Sequence, residues 1–337
     1  MSIGIYAFSG CENLGSIVVD KKNPIYDSRN DCNAIIETTT NTLMAGCSKT
    51  IIPNNITSIG DGAFSGCKGL SSVSIPNSVT SIAASAFSGC TGLTYVSVPN
   101  SVTSIGRAAF GGCSNLISVN IPNGVTSIDE RTFSGCKNLA SIDIPNSVTS
   151  IGDHAFEGCS GLTSVTIGNN VRSIGNTAFS SCSNLASVII SNSVKSIGKQ
   201  AFYLCKALTS VIIGSNVKQI DGAAFRYCNA LTSVISLNPI PPKVSSDNAF
   251  NTYSDAVLQV PEGSVDAYRV ADVWKNFIWI EELDEDTDVE DVKVNNSTDE
   301  KIRYNMNGLQ IEEPQQGVNI IQMSDGTTKK VLINRRQ

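Results

Sequence analysis

The chain has 337 residues, 41% of them hydrophobic, and a formal charge of −6, which places it among well-buried globular proteins. Eight acids fall within the eleven residues Glu281–Asp291, and setting them aside (−6 plus 8) leaves a body at about +2, too neutral for a surface that tracks nucleic-acid phosphates. No stretch approaches the roughly 20 consecutive apolar residues of a membrane-crossing helix, and the first residues lack the basic segment and apolar core of a signal peptide.

The chain opens on Ser2-Ile3-Gly4 and Ala7-Phe8-Ser9-Gly10-Cys11, fragments of a unit that recurs downstream. It is therefore read as starting inside a repeat, with a processed or truncated beginning that would hide a leader. Leu14, Ile17 and Val19 follow as a strand. The interval from Cys11 to Cys67 is 56 residues, longer than two 23-residue units, so something is inserted. Residues 12–47 are expected to hold a hairpin with a polar tip, running from Tyr26 toward Ile36 and returning through Leu43-Met44-Ala45-Gly46-Cys47 as a degenerate corner. An N-terminal cap is the first reading of this insertion, and a ligand-facing loop carrying Tyr26 and Arg29 is the alternative.

From residue 48 to 235 the pattern is strict. Cysteine recurs every 23 residues from Cys67 to Cys228, with phenylalanine three residues before each and leucine three residues after. Internal repetition at a fixed period is the signature of stacked units that share one core, since a single 23-residue coil has too little interior to bury its own apolar face. Leu162, Val165 and Ile167 alternate with polar residues as a short strand ending in a turn. Val148 to Ile151 make a second, shorter strand. Ala155, Phe156 and Cys159 suit a single helical turn between Gly152 and Gly158. The fold class is thus a repeat solenoid of 23-residue coils, each with short parallel strands and one helical turn. At about 4.8 Å per coil its regular part is on the order of 40 Å long.

The repeat decays over 236–282. Ser264 to Phe277, with Tyr268, Val270, Trp274 and Phe277, is expected to form a short amphipathic helix that closes the core, with Trp274 inside it. The acidic residues of 283–299 read as a solvated linker; Asp284, Asp286 and Asp288 mimic a calcium-loop spacing, but Val289 stands where such a loop needs glycine. Residues 300–337 alternate as strands around Asn307-Gly308 and Asp325-Gly326, both hairpin turns, and make a small β-rich module. The solenoid itself is assigned to residues 1–282.

The unit of which Pro145 to Ile167 is a good copy resembles the BspA-like leucine-rich repeats of bacterial surface proteins, especially those of Bacteroidales. The ending around Val260-Pro261-Glu262-Gly263-Ser264 and Trp274-Lys275-Asn276-Phe277 is similar to the closing segment of the same family, and the last module to C-terminal β-domains of Bacteroidales secreted proteins, including those that serve as sorting signals. The resemblance implies a right-handed, curved solenoid with a parallel sheet on one face. It also implies a cell-surface or secreted protein that binds a host or bacterial surface protein or glycan in an adhesin-like role. A structural spacer displaying another domain is the alternative.

No catalytic constellation is visible, and no cofactor or metal is expected. His154 is the only histidine, which removes His-dependent triads and His-rich metal sites. It occupies a column filled by Gly62, Ser85, Ala108, Arg131, Thr177, Gln200 and Ala223, a tolerance that points to solvent. Eight of the eleven cysteines repeat with the coil and none forms a CxxC pair, so they read as a ladder of small buried hydrophobes, mostly free thiols. Alternation along the longer strands sends two columns outward. One is serine at almost every step, Tyr95 excepted. The other includes Asn120, Asp143, Thr166, Ile189, Ile212 and Ile235, changing from polar to apolar along the rod. Tyr95, Asn120 and Asp143 mark a polar patch; the three isoleucines make an apolar stripe that asks for a cover, intramolecular or from a partner. These seven residues are the candidate ligand-binding face. Neither a nucleic-acid partner nor a membrane span is expected, and the sequence leaves the oligomeric state open.

Overall fold

A computed structural model describes residues 3–283 in full and, beyond them, the backbone of the strands 300–305, 310–311, 317–323 and 328–333. The chain is a parallel β-solenoid with little helix. It divides into two compact units, Met1–Leu162 with Ala178–Ser180, and Thr163–Thr177 with Ser181–Gln337.

In the first unit, the short strands Ser58–Ile59, Ser81–Ile82 and Ser104–Ile105 pair in parallel, serine on serine and isoleucine on isoleucine. The longer strands Ser72–Ser74, Tyr95–Ser97 and Ser118–Val119 do the same on a second edge. The repeat of 23 residues is what makes the register: each residue meets its own counterpart one coil away.

The single turn expected at Ala-Phe-x-x-Cys takes the form of a third ladder. Alternate N–H groups close turns within the coil, as from Ala86 to Ala83 O and from Ser88 to Ser85 O. The groups between them donate to the next coil, as from Ser85 to Arg107 O, Phe87 to Ala109 O and Gly89 to Gly111 O. Turning the amides alternately inward and along the axis requires left-handed backbone twice per coil. Glycine supplies it at Gly66, Gly89, Gly112, Gly135 and Gly158, with φ between 71° and 73°. The column containing His154 supplies it without glycine: Ser85, Ala108, Arg131, His154, Thr177, Gln200 and Ala223 all lie at φ between 52° and 58°. That column is half-buried or buried, not solvent-facing as its tolerance suggests. Its backbone is fixed by the two ladders whichever side chain it carries.

The core is a set of stacked columns. Phe64, Phe87, Phe110, Phe133 and Phe156 are at most 1% exposed, and their rings stack at centroid spacings of 5.0 to 5.6 Å, the offset-parallel range in which aromatic pairs add to simple burial. The cysteines beside them are free. Each thiol donates to a phenylalanine carbonyl of the preceding coil, Cys90 to Phe64, Cys113 to Phe87, Cys136 to Phe110 and Cys159 to Phe133, at 3.1 to 3.2 Å. Burial pushes the Cys113 and Cys159 thiols up to about 12 and Cys136 well above its ordinary value.

The N-terminal insertion differs from its sequence reading. Thr42–Gly46 is a strand and not a degenerate corner: it pairs antiparallel with Ala34–Glu37 and parallel with Ser58–Ile59. Gly46 lies against the Phe64 ring, where any side chain would collide. Tyr26–Asp27 pairs with Ile36 and Glu37. Tyr26 is buried and its hydroxyl accepts from Ile3 N at 3.1 Å, while Arg29 is paired with Asp27 and bonded to Asn41. Both side chains of the alternative ligand loop are therefore engaged in holding the insertion together.

In the second unit the longer strands are Ser164–Thr166, Ser187–Ile190, Ser210–Ile213, Ser233–Ser236, Val257–Val260 and Trp279–Glu282. The aromatic column continues with Phe225 on Phe250 at 5.1 Å, and Trp274, Phe277 and Tyr268 close it. Trp274 is fully buried and its indole N–H donates to Pro242 O at 2.7 Å. The amphipathic helix expected over 264–277 is shorter, Val265–Val270, followed by a 3-10 turn at Trp274–Asn276. Ala271, in extended conformation, ends the helix, and Val273, at φ 71°, leads into the turn. Val273 is therefore the buried valine, and Val270, expected inside, is 78% exposed. The C-terminal strands Glu300–Asn305, Gln310–Ile311, Gly317–Met323 and Thr328–Ile333 form one antiparallel sheet. The linker, with its calcium-like spacing at Asp284, Asp286 and Asp288, and the two turns at Asn307-Gly308 and Asp325-Gly326 lie outside the described residues.

Candidate functional site

The outward face of the longer strands is the surface on which the sequence placed a ligand, and its two halves differ. In the first unit Val96, Val119 and Ile142 point into the core while Ser72, Ser74, Ser97, Ser118, Ser141 and Asp143 are exposed. Register pairs Ser72 with Tyr95 and Tyr95 with Ser118, so the tyrosine stands between two serines that offer it no shelter. It is 57% exposed.

Asn120 belongs to this face, but its amide is spent on the fold. Its Oδ1 accepts from Val98 N at 2.8 Å and its Nδ2 donates to Val98 O at 2.7 Å. The side chain thus replaces a rung of the ladder where the strand Ser118–Val119 stops. Sequence reasoning missed Ile117, 54% exposed, one residue before the partner of Tyr95. The signal was present: Ile117 is the one large apolar residue in a column otherwise made of Ser71, Thr94, Ala140, Thr163, Ala186, Thr209 and Thr232. Tyr95, Ile117 and Asp143 are the features of an open, serine-paved sheet, with apolar area beside an acid.

In the second unit the same columns are closed. Thr166, Ile189 and Ile212 are 7%, 5% and 3% exposed and Ile235 is half-buried. Ile189, Ile212, Leu237 and Leu283 form a cluster of their own, with Ile235 packed against it.

The histidine and the buried cysteines of the described residues are engaged in the fold. His154 Nδ1 lies 2.8 Å from Glu157 Oε2, a local pair on the turn edge. Buried thiols with raised pKa values are poor nucleophiles, because the reactive species is the thiolate. Among the described residues no group of three His, Cys, Asp or Glu is placed to hold a metal, and no helix is long and apolar enough to cross a membrane.

The model of the BspA type leucine rich repeat region matches residues 41–163 and 126–254, in six copies. The chain belongs to the BspA-type leucine-rich-repeat family. Two solved structures share its fold. A leucine-rich repeat protein from Bacteroides ovatus is 28% identical, with a TM-score of 0.58 over 79% of this chain and 67% of its own. One from Eubacterium ventriosum is 27% identical, with a TM-score of 0.54 over 60% of this chain and 55% of its own. The chain thus spans between about half and two thirds of the length of these relatives. No curated protein matches it. BspA-type membership supports a repeat protein of the interaction kind, whose recurring residues build the coil.

Proposed function

We propose that this BspA-type protein is a cell-surface or secreted binding protein, without catalytic activity, that engages a protein or glycan along the open sheet face of its first unit. The observation that carries the reading is the exposure of Tyr95 and Ile117 on a rigid, serine-paved sheet. Tyrosine supplies large contact area at small entropic cost and is enriched among the anchors of interfaces. Asp143, exposed one edge further along, adds the polar selectivity that an apolar pair lacks. The adhesin-like role and the surface location follow from the family resemblance.

The test is binding of the full chain to arrays of matrix proteins and surface glycans, beside Tyr95→Ala and Asp143→Ala. A true contact at Tyr95 is expected to cost roughly 30-fold in affinity, the scale of an anchor residue, with an unchanged far-UV spectrum. A ligand that binds wild type and Tyr95→Ala equally would move the site elsewhere. The absence of any ligand would favour a spacer.

A further inference from the structure

The second unit carries a charge pattern that a near-neutral body conceals. Between Glu157 and Asp221 the chain has five bases, Arg172, Lys195, Lys199, Lys206 and Lys218, and no acid. Three of them share one column of the coil, at the head of the short strands. Lys195 N donates to Arg172 O at 2.7 Å and Lys218 N to Lys195 O at 2.8 Å, while Ser173 pairs with Ser196 and Ser196 with Gln219 one residue further on. Lys243 pairs with Gln219, and its N–H donates to Lys218 O at 3.0 Å, which sets a fourth cation at the end of the row. All four residues are exposed. At ~4.8 Å per strand the row is on the order of 15 Å long.

In the five preceding coils the same column is Thr57, Thr80, Thr103, Thr126 and Thr149. Those threonines work for the fold: Thr80 Oγ1 donates to Thr57 O, Thr103 Oγ1 to Thr80 O and Thr149 Oγ1 to Thr126 O, at 3.1 to 3.3 Å. The switch to Arg172, Lys195 and Lys218 gives up that bond and sets like charges on neighbouring strands, an arrangement that costs stability. Among the described residues no acid forms an ion pair with any of the four cations. Asp221, the acid that ends the basic stretch, accepts instead from Gln219 Nε2 at 2.6 Å. The row therefore does nothing for the coil that threonine would not do better.

We infer that Arg172, Lys195, Lys218 and Lys243 form a binding site for a linear anionic polysaccharide, on the short-strand edge of the second unit and apart from the longer strands that carry Tyr95. The shape and surroundings of the row decide among anions. It is one side chain wide, too narrow to follow both strands of a nucleic-acid duplex. The exposed residues beside it include Asn170, Asn216 and Gln219, amides in place of the aromatic platforms on which single strands stack or the apolar wedge that enters a lipid surface. Amides hydrogen-bond sugar hydroxyls, and the guanidinium and ammonium groups make charge-assisted bonds to sulfates or carboxylates. The ladder holds the four stems in register, so that successive charges of an extended chain meet successive coils.

Immobilised heparin is the probe, with the full chain in solution. Wild type is expected to bind it with an affinity that falls at least about tenfold between about 50 and 200 mM NaCl, the counterion release of a few neutralised charges. The triple variant Arg172→Thr, Lys195→Thr, Lys218→Thr restores the residue of the earlier coils; it is expected to lose at least about tenfold in affinity with a melting temperature no lower than wild type. Lys195→Arg with Lys218→Arg keeps the charges and is expected to keep the binding. Lys21→Thr, Lys22→Thr, Lys49→Thr removes as many lysine charges elsewhere and is expected to bind like wild type, as is Tyr95→Ala, which separates this site from the sheet face. No binding by wild type, full binding by the first variant, or an equal loss in the Lys21, Lys22, Lys49 variant would overturn the inference. Equal or tighter binding of single-stranded DNA, or of vesicles rich in phosphatidylserine, would overturn the assignment to a polysaccharide.

Discussion

Phe110→Ala is the sharpest probe of the stacked core. Phe110 is fully buried between Phe87 and Phe133, at 5.3 and 5.6 Å, so deleting its ring leaves two faces opposed across a gap neither can close without dragging its coil. Loss of the buried ring costs about 2 to 3 kcal/mol by transfer alone. A residual void of ~50 Å3 adds about 1.2 kcal/mol at ~24 cal/mol per Å3, for a total of about 4 kcal/mol, within the usual span for Phe→Ala. Phe110→Leu keeps much of the volume and loses the stacking, and is expected to cost about 1 to 1.5 kcal/mol. Urea unfolding followed by far-UV circular dichroism measures both, and amide exchange locates the effect, since in a repeat protein it falls first on the adjoining coils. A cost below about 1 kcal/mol for the alanine variant would mean that the phenylalanine column does not carry the core.

Three further outcomes follow from the coil. Ala108→Gly, at φ 52°, relieves a left-handed alanine and is expected to raise stability by about 0.5 to 1 kcal/mol, whereas the same change at Ala109, which is buried and not at positive φ, should lower it; thermal unfolding of the pair distinguishes them. Cys136→Ser should be tolerated at least as well as Cys136→Ala, because the thiol donates to Phe110 O and a hydroxyl can replace that donor; if Ala proves clearly better, the cysteine acts as a hydrophobe alone. Alkali should destabilise the protein: the Cys113 and Cys159 pKa values rise by burial from 9.0 to about 12, so above pH 9 the unfolded state binds fewer protons than the folded one and stability falls as pH rises toward 12. The loss approaches 1.4 kcal/mol per pH unit for each such thiol, and a urea midpoint that stays flat between pH 9 and 10.5 would contradict it.

The coil was legible because every coil repeats the same solution, so periodicity alone located phenylalanine, cysteine and leucine inside. What escaped was backbone information that side-chain identity conceals. Column tolerance at His154 suggested solvent, yet the column is left-handed in every coil; only Gly62 hinted at it. The insertion misled for a related reason, since Leu43-Met44-Ala45-Gly46-Cys47 copies the corner in composition while its pairing with Ala34–Glu37 makes it a strand.

For the candidate face, sequence gave direction and not accessibility. Alternation set Asp143 and Ile189 in the same outward column, but one is exposed and the other closed. The difference lies in tertiary burial, which for Ile189 and Ile212 includes the cluster with Leu237 and Leu283, a long-range property that no local pattern encodes. Asn120 shows the converse: outward and exposed, yet with its amide committed to Val98. Along a repeat, then, departure from the consensus is only half of a functional signal. It becomes evidence for binding where the departing side chain is also left without structural employment, as at Tyr95 and Ile117, and evidence for folding where, as at Ile212, the chain has covered it.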